Sequence, residues 1–241
     1  MEGFMKKAIV ILLSICMFLG LASCGGNSGD RIQSLVQGNM DAIYLGNASD
    51  EYIDIIGSTA ETQRQNYIEG LNTEAEFFCY YFGIIDSSYD ESYDDIKDET
   101  KDKIVAMYKQ VYDKSKYSTK ESVKQSDGSY TVQVTIEPID IMEQAIDKLL
   151  SGTYQPYEDF WTKYEDINTE AMSDEEFNEF YEKYTDEYAN VIIDCILGLL
   201  PELGYKDAKT LSVQVQADSD DIYSINDDDW NKIDDYIIYY P

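Results

Sequence analysis

Histidine is absent from the 241 residues, and cations are scarce: 18 Lys and Arg stand against 48 Asp and Glu, a formal charge of −30. The missing imidazole removes the commonest general base, the Ser-His-Asp triad, the Cys-His pair and every His-ligated metal. The shortage of Lys and Arg excludes nucleic acid as a partner, because phosphates are bound by surplus positive charge. A membrane-spanning helix needs about 20 apolar residues. The most apolar stretch, Ala8 to Leu21, has 14. What is present suffices for a sizeable core, with 44% hydrophobic and 13% aromatic residues. At about 150 residues per domain the length allows one large domain or two small ones.

Residues 1–23 read as a secretion signal. Lys6 and Lys7 form a charged start, AIVILLSICMFLGL an apolar centre, and small residues follow. Translation from Met5 would keep the same pattern. Leu21-Ala22-Ser23-Cys24 resembles the lipobox of bacterial lipoproteins. That resemblance implies cleavage before Cys24, a diacylglyceryl group on its thiol, and attachment to the extracytoplasmic face of the cell membrane. Two acyl chains anchor stably where one is marginal. The alternative is an ordinary secreted chain with a cysteine at that place. Residues 24–30, CGGNSGD, read as a flexible tether, and 31–241 as a single α+β domain. Beyond Cys24, only Cys79 and Cys195 follow, both on apolar helical faces. Outside the cytoplasm they could pair, or stay as two buried thiols.

The hydrophobic period sets the elements. Ile32, Leu35, Val36, Met40, Ile43 and Tyr44 predict a first helix from Arg31 to about Leu45. Ser49 starts a short helix through Ile56. Ser58-x-x-Glu61 is a capping-box pattern opening a long helix to about Gly83. Ser92-x-x-Asp95 precedes another, ending near Tyr112. The period then changes to 2. Tyr117–Gln125 and Ser129–Glu137 predict a hairpin around Asp127-Gly128, the pair favoured in type I′ turns. Helices follow from Ile139 to Leu150 and from Tyr157 to Ile167. Ser173-x-x-Glu176 opens the longest, Asp174 to about Leu200. Leu211, Val213 and Val215 begin a second hairpin returning through Ile222–Ile225. Asn226 caps a last helix whose first turn is Asp227, Asp228 and Asp229. The expectation is an α+β fold: six or seven helices on a small antiparallel sheet of two hairpins, and a helix-helix-hairpin unit used twice.

Val36-Gln37-Gly38-Asn39-Met40-Asp41-Ala42-Ile43-Tyr44-Leu45-Gly46, and more loosely Ile225-Asn226-Asp227-Asp228-Asp229-Trp230, give the chain its resemblance to a family of lipoproteins of low-GC Gram-positive bacteria whose domain has no assigned function. The resemblance implies a lipid-anchored α+β domain outside the membrane. It carries over no functional residue.

Four groups of residues could carry chemistry. Asp218, Asp220, Asp221 and Asp227 crowd one stretch with Asp228 and Asp229, and oxygen ligands suit calcium. The EF-hand pattern fails there, because Ile222 and Tyr223 stand where a ligand and the glycine belong. The bland reading is a solvated acidic turn. Paired carboxylates could hydrolyse cell-envelope glycans, but spacing selects no two of them and no catalytic set emerges. Among 22 tyrosines, Tyr80, Tyr81, Tyr154, Tyr157, Tyr164, Tyr239 and Tyr240 could line a groove for sugar or peptide, or form the wet edge of a core. From Lys97 to Lys124 eight lysines face five acids, a reversal of sign that fits an anionic partner or internal neutralisation. The leading function is binding a protein, peptide or glycan. A carboxylate hydrolase or a structural subunit of an envelope complex stand as alternatives.

Overall fold

The computed structural model describes residues 28–85, 92–217 and 223–241. Eight α-helices and five strands follow in the order α1 (Ser28–Tyr44), α2 (Asp50–Ile56), α3 (Ala60–Tyr81), α4 (Asp98–Tyr112), β1 (Lys116–Thr119), β2 (Val123–Lys124), β3 (Tyr130–Glu137), α5 (Ile141–Leu150), α6 (Gln155–Tyr164), α7 (Asp174–Leu199), β4 (Lys209–Ala217), β5 (Tyr223–Ile225) and α8 (Asp227–Ile237). The fold is α+β, and each of the eight helices answers to one read from the hydrophobic period. The secretion signal and Cys24 lie outside the described residues. The chain is helical from Ser28, so the last three residues of the expected tether belong to α1.

The helix starts follow their caps. Ser49 accepts the Tyr52 N–H, and Gly57 at φ 60° closes α2, a conformation that favours glycine. The box expected at Ser58 does not form, and a single cap stands one residue further on. Thr59 Oγ1 takes the Thr62 N–H, and the Ser58 hydroxyl accepts from Gln63 Nε2 instead. The Ser92–Asp95 box forms, but it closes a 3-10 turn at Tyr93–Asp95, and α4 starts only at Asp98. The Ser173–Glu176 box opens α7 as expected.

The contact pattern divides the chain into two compact units. The first holds the described residues up to Gly70, Tyr112–Ile139 and Tyr205–Tyr239. The second holds Leu71–Val111, Asp140–Gly204 and Tyr240–Pro241. This division cuts across the expected repeat, since both hairpins fall in the first unit.

In the first unit the strand order is β1-β3-β4-β5, all antiparallel, with β2 also paired to β3. The two hairpins therefore share one sheet, joined where Val132 faces Val213 and Tyr130 faces Val215. The expected strand 117–125 is broken at residues 120–122 into β1 and β2. Asp127-Gly128 does not make a two-residue turn. The Gly128 N–H closes a turn on Gln125 O, and Gly128 follows it at φ 93°, so the loop has three residues. Tyr130, Val132, Val134, Ile136, Val213 and Val215 are buried on one sheet face, against which α1 and α8 pack. Burying such side chains contributes up to about 1.5–3 kcal/mol each. The opposite face is polar, with Gln214 donating to Thr131 and Thr135 bonded to Thr210.

Within this unit the segment Val36–Tyr44 works as packing. A Cβ on Gly38 would come within 2.6 Å of the Tyr52 side chain, so α2 can approach α1 only over glycine. The Tyr52 hydroxyl donates to Asn39 at 2.7 Å. Gln37 and Tyr117 both donate to Asp41, and the Tyr44 hydroxyl donates to the buried Asp234. Tyr44 stacks on Trp230 with centroids 6.1 Å apart. The two sequence segments that carried the family resemblance thus meet in one core.

The second unit is helical. Phe78, Cys79, Ile104, Met107, Tyr108, Val111, Met142, Ala145, Ile192, Cys195 and Ile196 are buried. α5 packs on α7, and α4 is tied to α7 by polar contacts: Thr100 donates to Asp186, Lys103 to Asn190, and Lys97 pairs with Glu182. Cys79 and Cys195 are both free and buried, which resolves the choice between a disulfide and two thiols.

Candidate functional site

α6 and the first half of α7 carry nine of the chain's aromatic residues between Gln155 and Tyr188. Pro156 sits in the first turn of α6, where its missing N–H costs nothing. Tyr157, Phe160, Trp161 and Tyr164 then recur at intervals of three and four along one stripe. On α7 the matching stripe is Phe177, Phe180, Tyr181, Tyr184 and Tyr188. Spanning 11 residues at 1.5 Å rise, it is about 16 Å long.

The stripes meet edge to face and partly stacked. Phe160 lies 5.1 Å from Tyr188 and 5.0 Å from Tyr184. Trp161 lies 5.8 Å from Tyr188. Tyr164 lies 5.7 Å from Phe180 and 5.0 Å from Tyr184. Such pairs are worth about 0.5–1.5 kcal/mol each beyond area burial. Only Phe160, at 4% exposure, is inside. Trp161 and Phe177 are each 41% exposed, and the tyrosines between them are half-buried. The result is an aromatic face open to solvent.

A polar clamp fixes this arrangement. Lys163 and the Tyr164 hydroxyl both donate to Glu187 Oε2, the latter at 2.9 Å. Partial burial works to raise the Glu187 pKa, and the hydrogen bonds from Lys163 and Tyr164 outweigh it, so the carboxyl titrates below its ordinary 4.5. Burial, with Tyr157 close by, pushes the Tyr188 phenol well up, so it stays neutral.

The expected tyrosine groove does not form as one surface. Tyr157 and Tyr164 belong to the α6–α7 face. Tyr81 and Tyr240 lie in a different cluster with Phe77, 4.8 Å from one another, and Tyr240 shares a hydrogen bond with the buried Tyr108. Tyr239 falls in the first unit, under Lys206. Tyr154 precedes α6 with Lys148 over its ring. Trp161, Phe177, Tyr184 and Tyr188 were not singled out from the sequence. Their signal was there, as aromatic residues at helical spacing on two consecutive helices.

Of the acidic stretch, Asp218, Asp220 and Asp221 lie outside the described residues. Asp227 is exposed at the start of α8. The Asn226 side chain caps that helix by accepting from Asp228 and Asp229 N–H. Asp229 accepts from Gln214 N–H and from Lys232. Among the described residues no group of three or more Cys, Asp or Glu side chains is placed to hold a metal.

Four of the eight lysines from Lys97 to Lys124 pair within their own unit: Lys101 with Asp98, Lys103 with Glu99, Lys97 with Glu182, and Lys116 with Glu137. Lys116 also sits 3.6 Å from the centre of the Tyr205 ring. A shallow depression of about 460 Å³ beside β1 is lined by Ser115, Lys116, Tyr117, Ser118, Thr135 and Glu137. It offers one carboxylate, where glycoside hydrolysis needs two.

No family model matches the sequence, and no curated protein matches it. Among solved structures, a chain from Bacillus subtilis described as a candidate lipoprotein (ycdA) matches with a TM-score of 0.48 and 16% identity, over 88% of this chain. This chain spans 58% of that one's length. At that score and identity the likeness says nothing of activity. No helix among the described residues is long and apolar enough to cross a membrane.

Proposed function

We propose that this chain is a lipid-anchored, extracytoplasmic binding module that holds its ligand on the aromatic face of α6 and α7 and performs no chemistry on it. The observation that carries the reading is the exposure of Trp161 at the edge of the aromatic surface that α6 and α7 share, with the exposed Phe177 stacked on Tyr181 nearer the start of α7. Large aromatic side chains left open to water offer broad, rigid contact area at little cost in conformational entropy. The clamp of Lys163 and Tyr164 on Glu187 keeps that surface in one shape before a ligand arrives. Anchoring at Cys24 rests on the Leu21-Ala22-Ser23-Cys24 sequence after a short apolar run.

Two measurements test it. Expressed in a Gram-positive host fed an alkyne-bearing fatty acid, the chain should become labelled in the membrane fraction, and Cys24→Ala should lose the label. Short peptides and glycan oligomers titrated onto the full chain should change tryptophan emission, and Trp161→Phe should abolish that change. An unlabelled wild type would remove the anchor. Emission indifferent to the whole panel would remove the binding face.

A further inference from the structure

The chemistry around that face selects among ligands. Between Gln155 and Tyr188 there are twelve carboxylates and two lysines. Lys163 is spent on Glu187, and Lys183 approaches the same residue at 3.9 Å. Glu158 and Glu165 lie three residues before and four after Trp161, on its side of α6. Asp174 stands three residues before Phe177 on α7. Among the described residues none of these three is in an ion pair. The exposed aromatic groups are therefore rimmed by unneutralised negative charge.

We infer that the α6–α7 face docks a basic polypeptide segment, with Lys or Arg side chains laid over Trp161 and Phe177 and their charges met by Glu158, Glu165 and Asp174. This inference rests on the reading of that face as the binding surface. An ammonium or guanidinium over an aromatic ring is attracted by its quadrupole, and neighbouring carboxylates add to the attraction. A neutral sugar would use the rings and leave the rim charges idle. An anionic surface would be repelled by them.

The test titrates a lysine-alanine peptide of about a dozen residues, and a neutral glycan oligomer of similar size, onto the full chain in detergent at low salt. A triple variant, Glu158→Gln with Glu165→Gln and Asp174→Asn, is compared with a control triple on exposed residues of the first unit, Glu51→Gln with Asp54→Asn and Asp235→Asn. The face triple should weaken peptide binding by about tenfold or more and the control triple by less than roughly twofold. Trp161→Ala should weaken it several-fold, and Trp161→Tyr should restore it, which a loss of folding would not allow. Equal weakening by both triples would overturn the inference, because attraction would then come from the overall charge of −30. Glycan binding that depends on Trp161, without peptide binding, would overturn the inference and leave the binding face standing. No response to either ligand would overturn both.

Discussion

Tyr44 is 1% exposed, its hydroxyl bonded to Asp234 and its ring among Tyr112, Tyr117 and Trp230. Trp161 is 41% exposed, its ring among Tyr157, Phe160 and Tyr188. Both clusters are built from the same side chains at similar centroid distances. They differ in how many elements converge on them. Around Tyr44, residues from α1, α4, β1 and α8 supply both rings and hydrogen-bond partners, and the phenols are enclosed. Around Trp161, two helices supply the rings and the outer edge stays open. Aromatic content alone therefore does not decide whether a cluster is core or surface. The number of elements closing over it does.

That contrast can be broken by mutation. Tyr44→Ala should cost about 3–5 kcal/mol in urea unfolding, since it leaves a cavity and strips Asp234 of a buried donor. Trp161→Ala should cost about a third of that or less. Equal losses would mean that the α6–α7 face is core after all. A smaller effect is expected at the start of α7. Ser173→Ala removes a cap that accepts from Glu176 N–H, worth about 1 kcal/mol. Because residues 173–179 are all exposed, the change should appear as faster amide exchange in that stretch. Protection unchanged there would show that Phe177 is held by something other than the capped helix.

The smallest effect is a pH dependence. The Glu187 pKa is lowered on folding, so its contribution is present above its unfolded value and fades as pH falls through the folded one. Glu187→Gln should lower stability at neutral pH by a few tenths of a kcal/mol, the scale of a partly exposed pair. The gap between wild type and variant should close as the carboxyl protonates, at a pH below the ordinary range of a glutamate. A gap that persists in acid would assign the clamp to packing rather than charge.

How far these features could be read from the chain depends on their range. Ser173, Asn226 and Ser49 cap their helices within three residues, and such contacts are visible as spacing. The alternation of Tyr130, Val132, Val134 and Ile136 gave β3 its buried face. Ser58 misled because Thr59 beside it can cap equally well, and geometry decides between them. The break between β1 and β2 was invisible, since residues 120–122 carry no glycine or proline. Tyr44 finds Trp230 and Asp234 across most of the chain, and no local pattern encodes that meeting. The α6–α7 face lies between these cases. Each stripe was legible as a helix period, but which stripe stays uncovered depends on what packs elsewhere.

Burial pushes the Cys79 thiol up to about 12, helped by the neighbouring Glu76 and opposed by Lys101. At neutral pH about one thiol in 10⁵ is then ionised, and the ring of side chains around it keeps even that fraction from reagents. Cys195 is shielded in the same way. Oxidants and alkylating agents meet no usable nucleophile at either position while the helices hold. The two sulfurs consequently record the history of the second unit: each modified Cys79 or Cys195 marks a molecule that has opened at least once, and with a reagent faster than reclosing the rate of marking is the rate of opening.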